Sequence, residues 1–569
     1  MIAKMTQYSF ILLHGDKEEF LSGLQQLGVV DITRSTKPVD AFSQSLLDNI
    51  ATLRQDIDCT LKGSDPTLVE LQGQRDAILK EMADVTPWGE YDRERLAPFG
   101  LHYYSVATKK YDPAWEERYA IQVVSQSGGL TWFVVVGDNE GFPLKELPAP
   151  THTPSELRPA LESVRDKIAI HREILEARKA EIPKMEQHIL NMQADLDRYL
   201  AGVAAVPAAE DTIDTLIGFA PSENDAAVSA YLDQHGVFYL KDEAKVEENP
   251  PIQFKNNKFV KMFEVLTDMY GRPAYNGFDP TPFIAVFFLL FFALCMGDAG
   301  YGLVLILVGL LLKKVDSFKD MAPLVVTLGV ATVFVGFFLH TFFSIDIAQW
   351  KCFEGIRWIF LPDEIAGYAG GMVLSLVVGV VHLCLAMVVK AINCVKVNGF
   401  AASLGTLGWT LLIVGGVIVG AIALTGVLSS EVTKWVLIVL GVVSALGIFV
   451  FNDPKRNKLA NVGMGLWDTY NTVTGLMGDV LSYLRLYALG LAGAMLGMAF
   501  NDMGKMVLGD GSNLVLWIPF ILLVLIGHTL NIAMCALGAF VHPLRLNFLE
   551  FFENSGYEAA GRKFNPLTK

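Results

Sequence analysis

The sequence predicts a soluble α+β domain over residues 1–275, followed by an all-α membrane domain over residues 276–569. Charged residues make up 18% of the 569-residue chain and apolar residues 52%, whereas soluble globular proteins usually carry about 25% charged residues. The charged residues are concentrated before residue 275, and long runs almost free of charge follow. The first half also contains both helical and strand-like apolar periodicities.

Composition and motifs exclude several classes of function. The net charge of −15 argues against nucleic-acid binding, which needs a basic face. The six cysteines form no close pair and no CxxC motif, so we expect no disulfide framework, no metal site and no cofactor. The first residues carry an apolar stretch that meets Asp16 and Lys17 too soon for a signal peptide. The soluble half is therefore expected in the cytoplasm.

Two segments of the first half repeat apolar residues at steps of three and four. The longer segment covers residues 161–203, and the shorter covers residues 46–85. This spacing predicts an antiparallel coiled coil that pairs residues 41–87 with 155–206.

β-rich runs flank and separate these helices. Three of them surround the turn at Gly128 and Gly129 and predict an α/β lobe over residues 88–150. A second lobe is expected to combine residues 1–40 with 208–250. The runs within the first lobe cover residues 103–106, 119–124 and 130–136.

Hydropathy locates seven apolar segments in the second half. Basic clusters, which favour the cytoplasmic side, separate them in an alternating pattern that fails only at the first segment. That segment must cross twice, which predicts eight transmembrane helices with both termini in the cytoplasm. The segments cover residues 282–312, 321–343, 371–389, 401–427, 435–451, 466–500 and 514–552. The basic clusters are Lys313, Lys314 and Lys319, Lys390 and Lys396, Lys455, Arg456 and Lys458, and Arg562 and Lys563.

The first segment contains a break at its midpoint. Gly297, Asp298, Gly300 and Gly302 interrupt the apolar run there, and we assign them a structural or hinge role. Each half has about 15 residues, roughly 23 Å of helix. We therefore expect two short helices whose connecting tip is sheltered by protein or by a thinned bilayer.

Two arginines lie inside apolar segments, Arg485 and Arg545. A charge at membrane depth costs several kcal/mol unless it has a partner or a water-lined path. The nearby carboxylates are Asp479, about two turns before Arg485, and Glu550, near the cytoplasmic end. The pattern predicts a carboxylate partner on another subunit; an internal hydrogen-bond network between helices is the alternative.

Polar and small residues accompany the arginines. Ser482 precedes Arg485, and steps of three and four place further polar groups on the stripe that contains Arg545. The small residues after Arg485 predict close packing against another helix. The polar residues are His528, Asn531 and His542, and the small residues are Gly490, Gly493, Ala494 and Gly497.

Several motifs resemble the a/I subunit of V-type and A-type rotary ATPases, with matching order and spacing from about residue 210 onward. Arg485 and Arg545 fall on the two essential arginine positions of that family. Pro543 replaces the usual small polar residue and predicts a local kink, because proline lacks a backbone donor. The motifs are SYLRLYALGLA at residues 482–492, HPLRLNFLE at 542–550, DPTP at 279–282, GDAGYG at 297–302 and GFAP at 218–221.

The resemblance implies a multi-pass stator subunit of the cell (inner) membrane, in which two long helices face a rotor ring. Arg485 and Arg545 would meet a ring carboxylate, the small residues would pack on the ring, and Glu550 would lie near the cytoplasmic mouth of an ion path. Polar residues would line two half-channels for protons or sodium ions: Ser482, His528, Asn531 and His542.

The resemblance also implies partners. They are rotor ring subunits of the c or K type, peripheral stalk subunits of the E and G type at the lobes, and central-stalk and catalytic subunits. The chain has no GxxxxGK[ST] phosphate loop, so we expect no catalytic site on it, with ATP chemistry on other subunits.

Two alternatives remain open at this point. A secondary transporter would use the broken first segment as a substrate site, and would be active as an isolated chain with a second broken helix. A scaffold or sensor with a coiled-coil head would leave the two arginines unexplained.

Overall fold

The computed structural model describes residues 1–35, 37–62, 66–208, 212–315, 318–427, 429–451, 458–509 and 513–568. The chain folds into two compact units. The first comprises Met1–Leu12, Val29–Ile32 and Thr215–Pro566, and the second comprises Leu13–Gly28, Thr33–Asp214 and Leu567–Lys569. The boundary at residue 275 rests on hydropathy and stays a prediction.

Helices and strands alternate over the first 270 residues, which confirms the predicted α+β character of this region. The helices are α1 (Lys17–Leu27), α2 (Ala41–Lys62), α3 (Pro66–Val85), α4 (Arg93–Leu96), α5 (Trp115–Arg118), α6 (Pro154–Val203), α7 (Asp225–Gln234), α8 (Lys258–Lys261) and α9 (Glu264–Tyr270). The strands are β1 (Met5–Leu13), β2 (Asp31–Ile32), β3 (Leu101–Ala107), β4 (Ile121–Ser127), β5 (Leu130–Val136), β6 (Val206–Ala208), β7 (Ile213–Pro221) and β8 (Phe238–Glu243).

Helix α6 is the longest element of the second unit. A capping box starts it, in which the Thr153 N–H donates to the Glu156 carboxyl at 2.9 Å. Helices α2 and α3 both pack against α6. Buried residues of α6 recur every seven residues, whereas Val203, which the periodicity assigned to the same seam, is exposed because the helix ends there. The heptad-spaced buried residues are Leu161, Ile168, Leu175, Ile182, Ile189 and Leu196.

Polar contacts at the two ends make α6 antiparallel to α2 and α3. The Tyr199 hydroxyl, near the end of α6, donates to the Asp40 carboxyl at the start of α2. His152, just before α6, contacts the Glu81 carboxyl on α3 at 2.6 Å. The Tyr199 hydrogen bond, with a further one from the Ser43 N–H, holds the pKa of Asp40 below its usual value.

The three predicted β-rich runs form an antiparallel sheet in the order β3-β5-β4. Gly128 and Gly129 connect β4 to β5 with positive φ angles of 61° and 79°, which glycine adopts without strain. Tyr104, Phe133 and Val135 form a buried cluster on this sheet. The strands at residues 103–136 are therefore confirmed.

In the first unit, strands pair in the order β2-β7-β1-β8. Gly218 on β7 lies where a side chain would come within 2.8 Å of the Phe10 ring and 2.9 Å of Val30. The glycine thus permits close packing at the GFAP motif.

Near the DPTP motif, the Asp279 carboxyl accepts a hydrogen bond from the Thr281 N–H at 3.0 Å, at the start of the first apolar helix.

Apolar helices dominate from residue 281 onward, with two short β-hairpins in one connection. The helices are α10 (Thr281–Met296), α11 (Ala299–Leu312), α12 (Ala322–Phe338), α13 (Gly370–Asn398), α14 (Leu404–Leu424), α15 (Ser430–Ala445), α16 (Lys458–Ser482), α17 (Leu484–Leu508), α18 (Trp517–Arg545) and α19 (Phe552–Ser555). The hairpins are formed by β9 (Thr341–Phe342) with β10 (Ile345–Asp346), and by β11 (Glu364–Ile365) with β12 (Tyr368–Ala369). π-helical turns occur at Leu446–Val450 and Leu546–Phe551.

In the described part of the chain, five helical stretches are long and apolar enough to cross a membrane. Helices α10, α11 and α12 are shorter, at 16, 14 and 17 residues. An apolar, multi-helical second half is thereby confirmed, while the number of eight crossings stays a prediction. The basic residues Lys455 and Arg456, used in the topology argument, lie outside the described residues. The five stretches cover residues 370–398, 401–424, 430–450, 461–508 and 514–555.

Candidate functional site

Arg485 lies in the first turn of α17. Its Nη1 atom is buried and has no hydrogen-bond partner among the described residues. Buried polar atoms in proteins are nearly always paired, and unpaired charged groups are especially unfavourable. Arg485 therefore presents a cation whose coordination is incomplete within the described chain.

Arg545 ends α18 and is exposed. It lies on a stripe of exposed apolar residues along α18, and α17 carries a second such stripe beyond Arg485. We call these two stripes the arginine face. Besides the arginines, it comprises Leu491, Met495 and Met498 on α17 and Met534, Leu537 and Val541 on α18, all exposed. A cation on an otherwise apolar exposed surface is the arrangement expected where a partner supplies the opposite charge.

Helix α18 continues through Pro543, and its irregularity follows as the π-helical turn at Leu546–Phe551. The Asn547 side chain donates to the Pro543 carbonyl at 2.8 Å. π-helical turns are rare in proteins, and those that occur are often found at functional sites. Here the turn connects Arg545 to Glu550.

Glu550 is buried, and its Oε2 atom has no hydrogen-bond partner in the described chain. Its electrostatic neighbours include Ser482, Asp479 and Arg545. Asn554 joins the group by donating to the Asp479 carboxyl and to the Glu550 carbonyl, both at 2.7 Å. This places a small acidic cluster at the end of α18.

His542 is partly exposed and lies within electrostatic reach of both Arg485 and Arg545. The structure therefore groups His542, the two arginines, Ser482 and Glu550 in one region. These five belong to the predicted set of site residues.

His528 and Asn531 belong to a different cluster. His528 contacts the Tyr301 hydroxyl through Nδ1 at 2.8 Å and the Asn501 side-chain oxygen through Nε2 at 2.9 Å. Asn531 donates to the Tyr301 hydroxyl and to the Gly493 carbonyl, both at 2.8 Å. Both side chains are thus engaged inside the helix bundle.

The predicted single stripe on α18 divides because its spacing does not match the helix period. Residues 531–545 follow steps that average 3.5, whereas an α-helix has 3.6 residues per turn, so the stripe drifts by about 20° every seven residues. Asn531 is consequently buried, while Arg545 is exposed.

The glycines after Arg485 pack within the chain. A side chain at Gly490 would come within 2.9 Å of the Leu294 carbonyl, one at Gly493 within 2.5 Å of the Cys535 sulfur, and one at Gly497 within 2.0 Å of the Ser344 hydroxyl. These contacts are the close packing that small residues predict, and here the chain's own atoms supply it. Ala494 is partly exposed, and contact of these four residues with a ring stays a prediction.

Asp298 organises the break between α10 and α11. Gly297 ends α10 with a φ of 57°, and the buried Asp298 carboxyl accepts the N–H groups of Gly300 at 2.8 Å and Tyr301 at 3.2 Å. It also accepts two N–H groups from the connection that follows α12. These donors are Phe343 at 2.8 Å and Ser344 at 2.6 Å.

Close helix contact follows the break. Side chains at Gly300 and Gly302 would clash with the Phe343 ring at 2.4 Å and the Val333 N atom at 2.6 Å. The four residues of the break thus hold the tip by capping and by close packing.

Four further residues make polar contacts inside the helix bundle that no pattern in the sequence predicted. Tyr301 and Asn501 complete the His528 cluster. His382 and Tyr483 contact each other at 2.9 Å in the buried core. His382 could have been noticed as the one histidine inside the apolar run at residues 371–389; the tyrosines carry no comparable signal, since they are common in apolar segments.

Comparison with known families gives a match to the V-type ATPase 116kDa subunit family over residues 155–353 and 468–569. The A-type ATP synthase subunit I of Methanocaldococcus jannaschii is 33% identical over 348 residues, covering 56% of this chain and 49% of that protein. The V-type ATP synthase subunit I of Borreliella burgdorferi is 24% identical across the full length of both chains. That of Treponema pallidum, subunit I 1, is 27% identical over 88% of this chain and 84% of the relative. The chain spans about half the length of the archaeal relatives.

Proposed function

Because the chain belongs to the V-type ATPase 116kDa subunit family, we propose that it is the membrane stator subunit of a rotary V- or A-type ATPase or ATP synthase. In this role it passes a proton or a sodium ion along a rotor ring. Ion movement is coupled to ATP synthesis or hydrolysis on other subunits. The chain itself carries no catalytic site in this proposal.

The incomplete coordination of Arg485 is the observation that carries the proposal. A guanidinium has five N–H donors, and its buried Nη1 lacks a partner in the described chain. A carboxylate on a passing ring subunit would complete the pairing. The positive charge favours the ionised carboxylate, so the carboxylate releases its ion at this station and takes up another before returning to lipid.

We place the inner half-channel along Glu550, Ser482 and His542. The unpaired, buried Oε2 of Glu550 supports this placement, since buried polar atoms without protein partners are usually paired by water. His528 and Asn531 would border the outer half-channel, beside Tyr301. Arg485 and Arg545 would separate the two paths and prevent a direct leak.

The arginine face is the proposed contact with the rotor ring of c- or K-type subunits, and Ala494 adjoins it. We further propose that the lobes of the soluble half bind peripheral stalk subunits of the E and G type. Central-stalk and catalytic subunits complete the complex. The chain would lie in the cell (inner) membrane with both termini in the cytoplasm.

A secondary transporter is less consistent with these observations. It would need a substrate site at the broken first segment, but side chains and backbone of the same chain fill the space around Gly300 and Gly302. The family match also supports a subunit of a larger complex.

Copurification followed by a pumping assay tests the proposed function. The tagged chain, isolated from its native membranes in mild detergent, is expected to copurify with a small apolar ring subunit and with stalk subunits. The complex in sealed vesicles is expected to pump ions when ATP is added. Transport of a small solute by the chain alone, with no ring subunit present, would contradict the proposal.

Labelling can test the eight crossings. Tyr368 is exposed in the second β-hairpin, and three crossings of α10, α11 and α12 would put it outside. With native cysteines removed, Tyr368→Cys is expected to react with an impermeant thiol reagent from outside, and the control Lys396→Cys only from the cytoplasm. Labelling of Tyr368→Cys from the cytoplasm and of Lys396→Cys from outside would mean that the first segment crosses once. Ala299 is buried and is a poorer labelling position.

A further inference from the structure

A histidine that belongs to none of the proposed ion paths contacts both segments that contain the arginines. His382 on α13 is fully buried, and its Nδ1 atom lies 2.9 Å from the Tyr483 hydroxyl. Its ring stacks on Phe551 with a centroid distance of 4.8 Å and an interplanar angle of 6°. Phe287 lies on the same ring at 4.1 Å.

Tyr483 occupies the junction of two helices. Helix α16 ends at Ser482 and α17 begins at Leu484, so this residue sets where the second helix starts. Arg485 follows two residues later. The Tyr483 ring is fully buried.

Gly379, one helical turn before His382, allows Tyr483 to approach α13. A side chain at Gly379 would lie 2.3 Å from Cγ of the Tyr483 ring and 2.7 Å from its Cβ. These distances are far below van der Waals contact, so the ring rests directly on the α13 backbone. Together, Gly379 and His382 hold the ring at its base and at its hydroxyl.

Phe551 supplies the link to the other arginine. It is the last residue of the π-helical turn that follows Arg545, and it is adjacent to Glu550. The stacked contact with His382 therefore fixes the end of this turn against α13. One side chain on α13 thus contacts the junction before Arg485 and the turn after Arg545.

We infer that His382 is a positioning residue that holds Arg485 and Arg545 at a fixed separation and rotation, with Gly379 as its structural support. The inference rests on the proposed function. Its physical basis is that the Tyr483 hydroxyl, buried among apolar side chains, keeps its hydrogen bond to His382 in one orientation only, whereas apolar packing alone tolerates sliding. A guanidinium that must meet a moving carboxylate once per step requires such precision.

Substitutions that remove only the hydrogen bond provide the test. His382→Phe keeps a flat ring for stacking, and Tyr483→Phe keeps the buried ring. In the assembled complex in vesicles, each is expected to lower the number of ions pumped per ATP hydrolysed by about tenfold, because small misplacements of reacting groups reduce rates strongly. Since both remove the same contact, the double variant is expected to be no worse than either single variant.

A rescue variant and a control separate positioning from general stability. His382→Gln retains a hydrogen-bonding group and is expected to recover most of the pumping ratio lost in His382→Phe. Val381→Ala changes an exposed neighbour on the same helix and is expected to pump normally. The ratio is measured per assembled complex, so reduced assembly does not alter it.

Two results would overturn the inference. One is a normal pumping ratio in assembled His382→Phe and Tyr483→Phe complexes. The other is the loss of assembled complex in every variant, His382→Gln included, which would make His382 a packing residue. If Arg485→Ala abolishes pumping while His382→Phe pumps normally, only this inference fails; if the wild-type complex does not pump ions when ATP is added, the proposed function fails.

Discussion

Replacement of Arg485 by alanine is expected to abolish ATP-driven ion pumping while the complex remains assembled. The Nη1 atom of this half-buried arginine is buried and has no hydrogen-bond partner in the described chain. Without it, a ring carboxylate entering the interface has no compensating charge in a medium of low dielectric constant. The carboxylate stays loaded with its ion, and rotation past the site does no coupled work.

The expected loss is at least about a hundredfold, comparable to removal of a preorganised electrostatic group from an enzyme site. Arg485→Lys is also expected to fail or nearly fail. A planar guanidinium keeps its charge and offers several donors in a fixed geometry, whereas an ammonium is compact and loses its proton more readily when desolvated. Charge alone at this position is therefore insufficient.

Two variants serve as comparisons for Arg485→Ala. Arg545→Ala is expected to have a smaller effect, because this arginine is exposed at the end of α18. Lys505→Ala removes an exposed cation from the far end of α17 and is expected to pump normally. Pumping is measured in vesicles with equal amounts of assembled complex. Near-normal pumping by Arg485→Ala would show that this arginine has a structural role.

Replacement of Asp298 by alanine is expected to have the largest effect on stability. The side chain is 3% exposed, and its two oxygens accept four backbone N–H groups. Each buried donor left without a partner costs about 1–3 kcal/mol, so the loss is on the order of 4 kcal/mol or more. The tip between α10 and α11 would separate from the connection after α12.

Thermal unfolding of the detergent-solubilised complex, together with its yield from membranes, measures this effect. Asp298→Asn retains one oxygen that can accept from the Gly300 or Phe343 N–H and is expected to fall between the wild type and Asp298→Ala. The control Asp320→Ala removes an exposed carboxylate from the loop before α12 and is expected to change nothing. An unchanged transition for Asp298→Ala would mean that packing at Gly300 and Gly302 holds the tip without the carboxylate.

Local patterns were sufficient to locate the main elements. The heptad spacing along α6 and the β-rich runs of β3, β4 and β5 correspond to observed elements. Hydropathy located the apolar helices, and the glycines with Asp298 marked the break that ends α10. These features depend on neighbours within a few turns, so a single sequence contains the information that specifies them.

At the candidate site, local sequence patterns predict some residues and not the contacts of others. Arg485 and Arg545 stood out in the sequence because a charge within an apolar run is unfavourable wherever the helix packs. By contrast, a polar residue such as Asn531 or a glycine such as Gly493 is compatible with a channel, a ring contact or an internal hydrogen bond.

The sequence by itself therefore determined that the chain has a soluble α+β region, a set of apolar helices and two arginines in apolar surroundings. Only the tertiary structure decided which polar residues meet. Tyr301 and Asn531 are 230 positions apart in the sequence. No helical periodicity extends that far, so the sequence pattern cannot pair them. The slow drift of a 3.5-residue stripe around a 3.6-residue helix then directs Asn531 into the bundle and Arg545 to the exposed face.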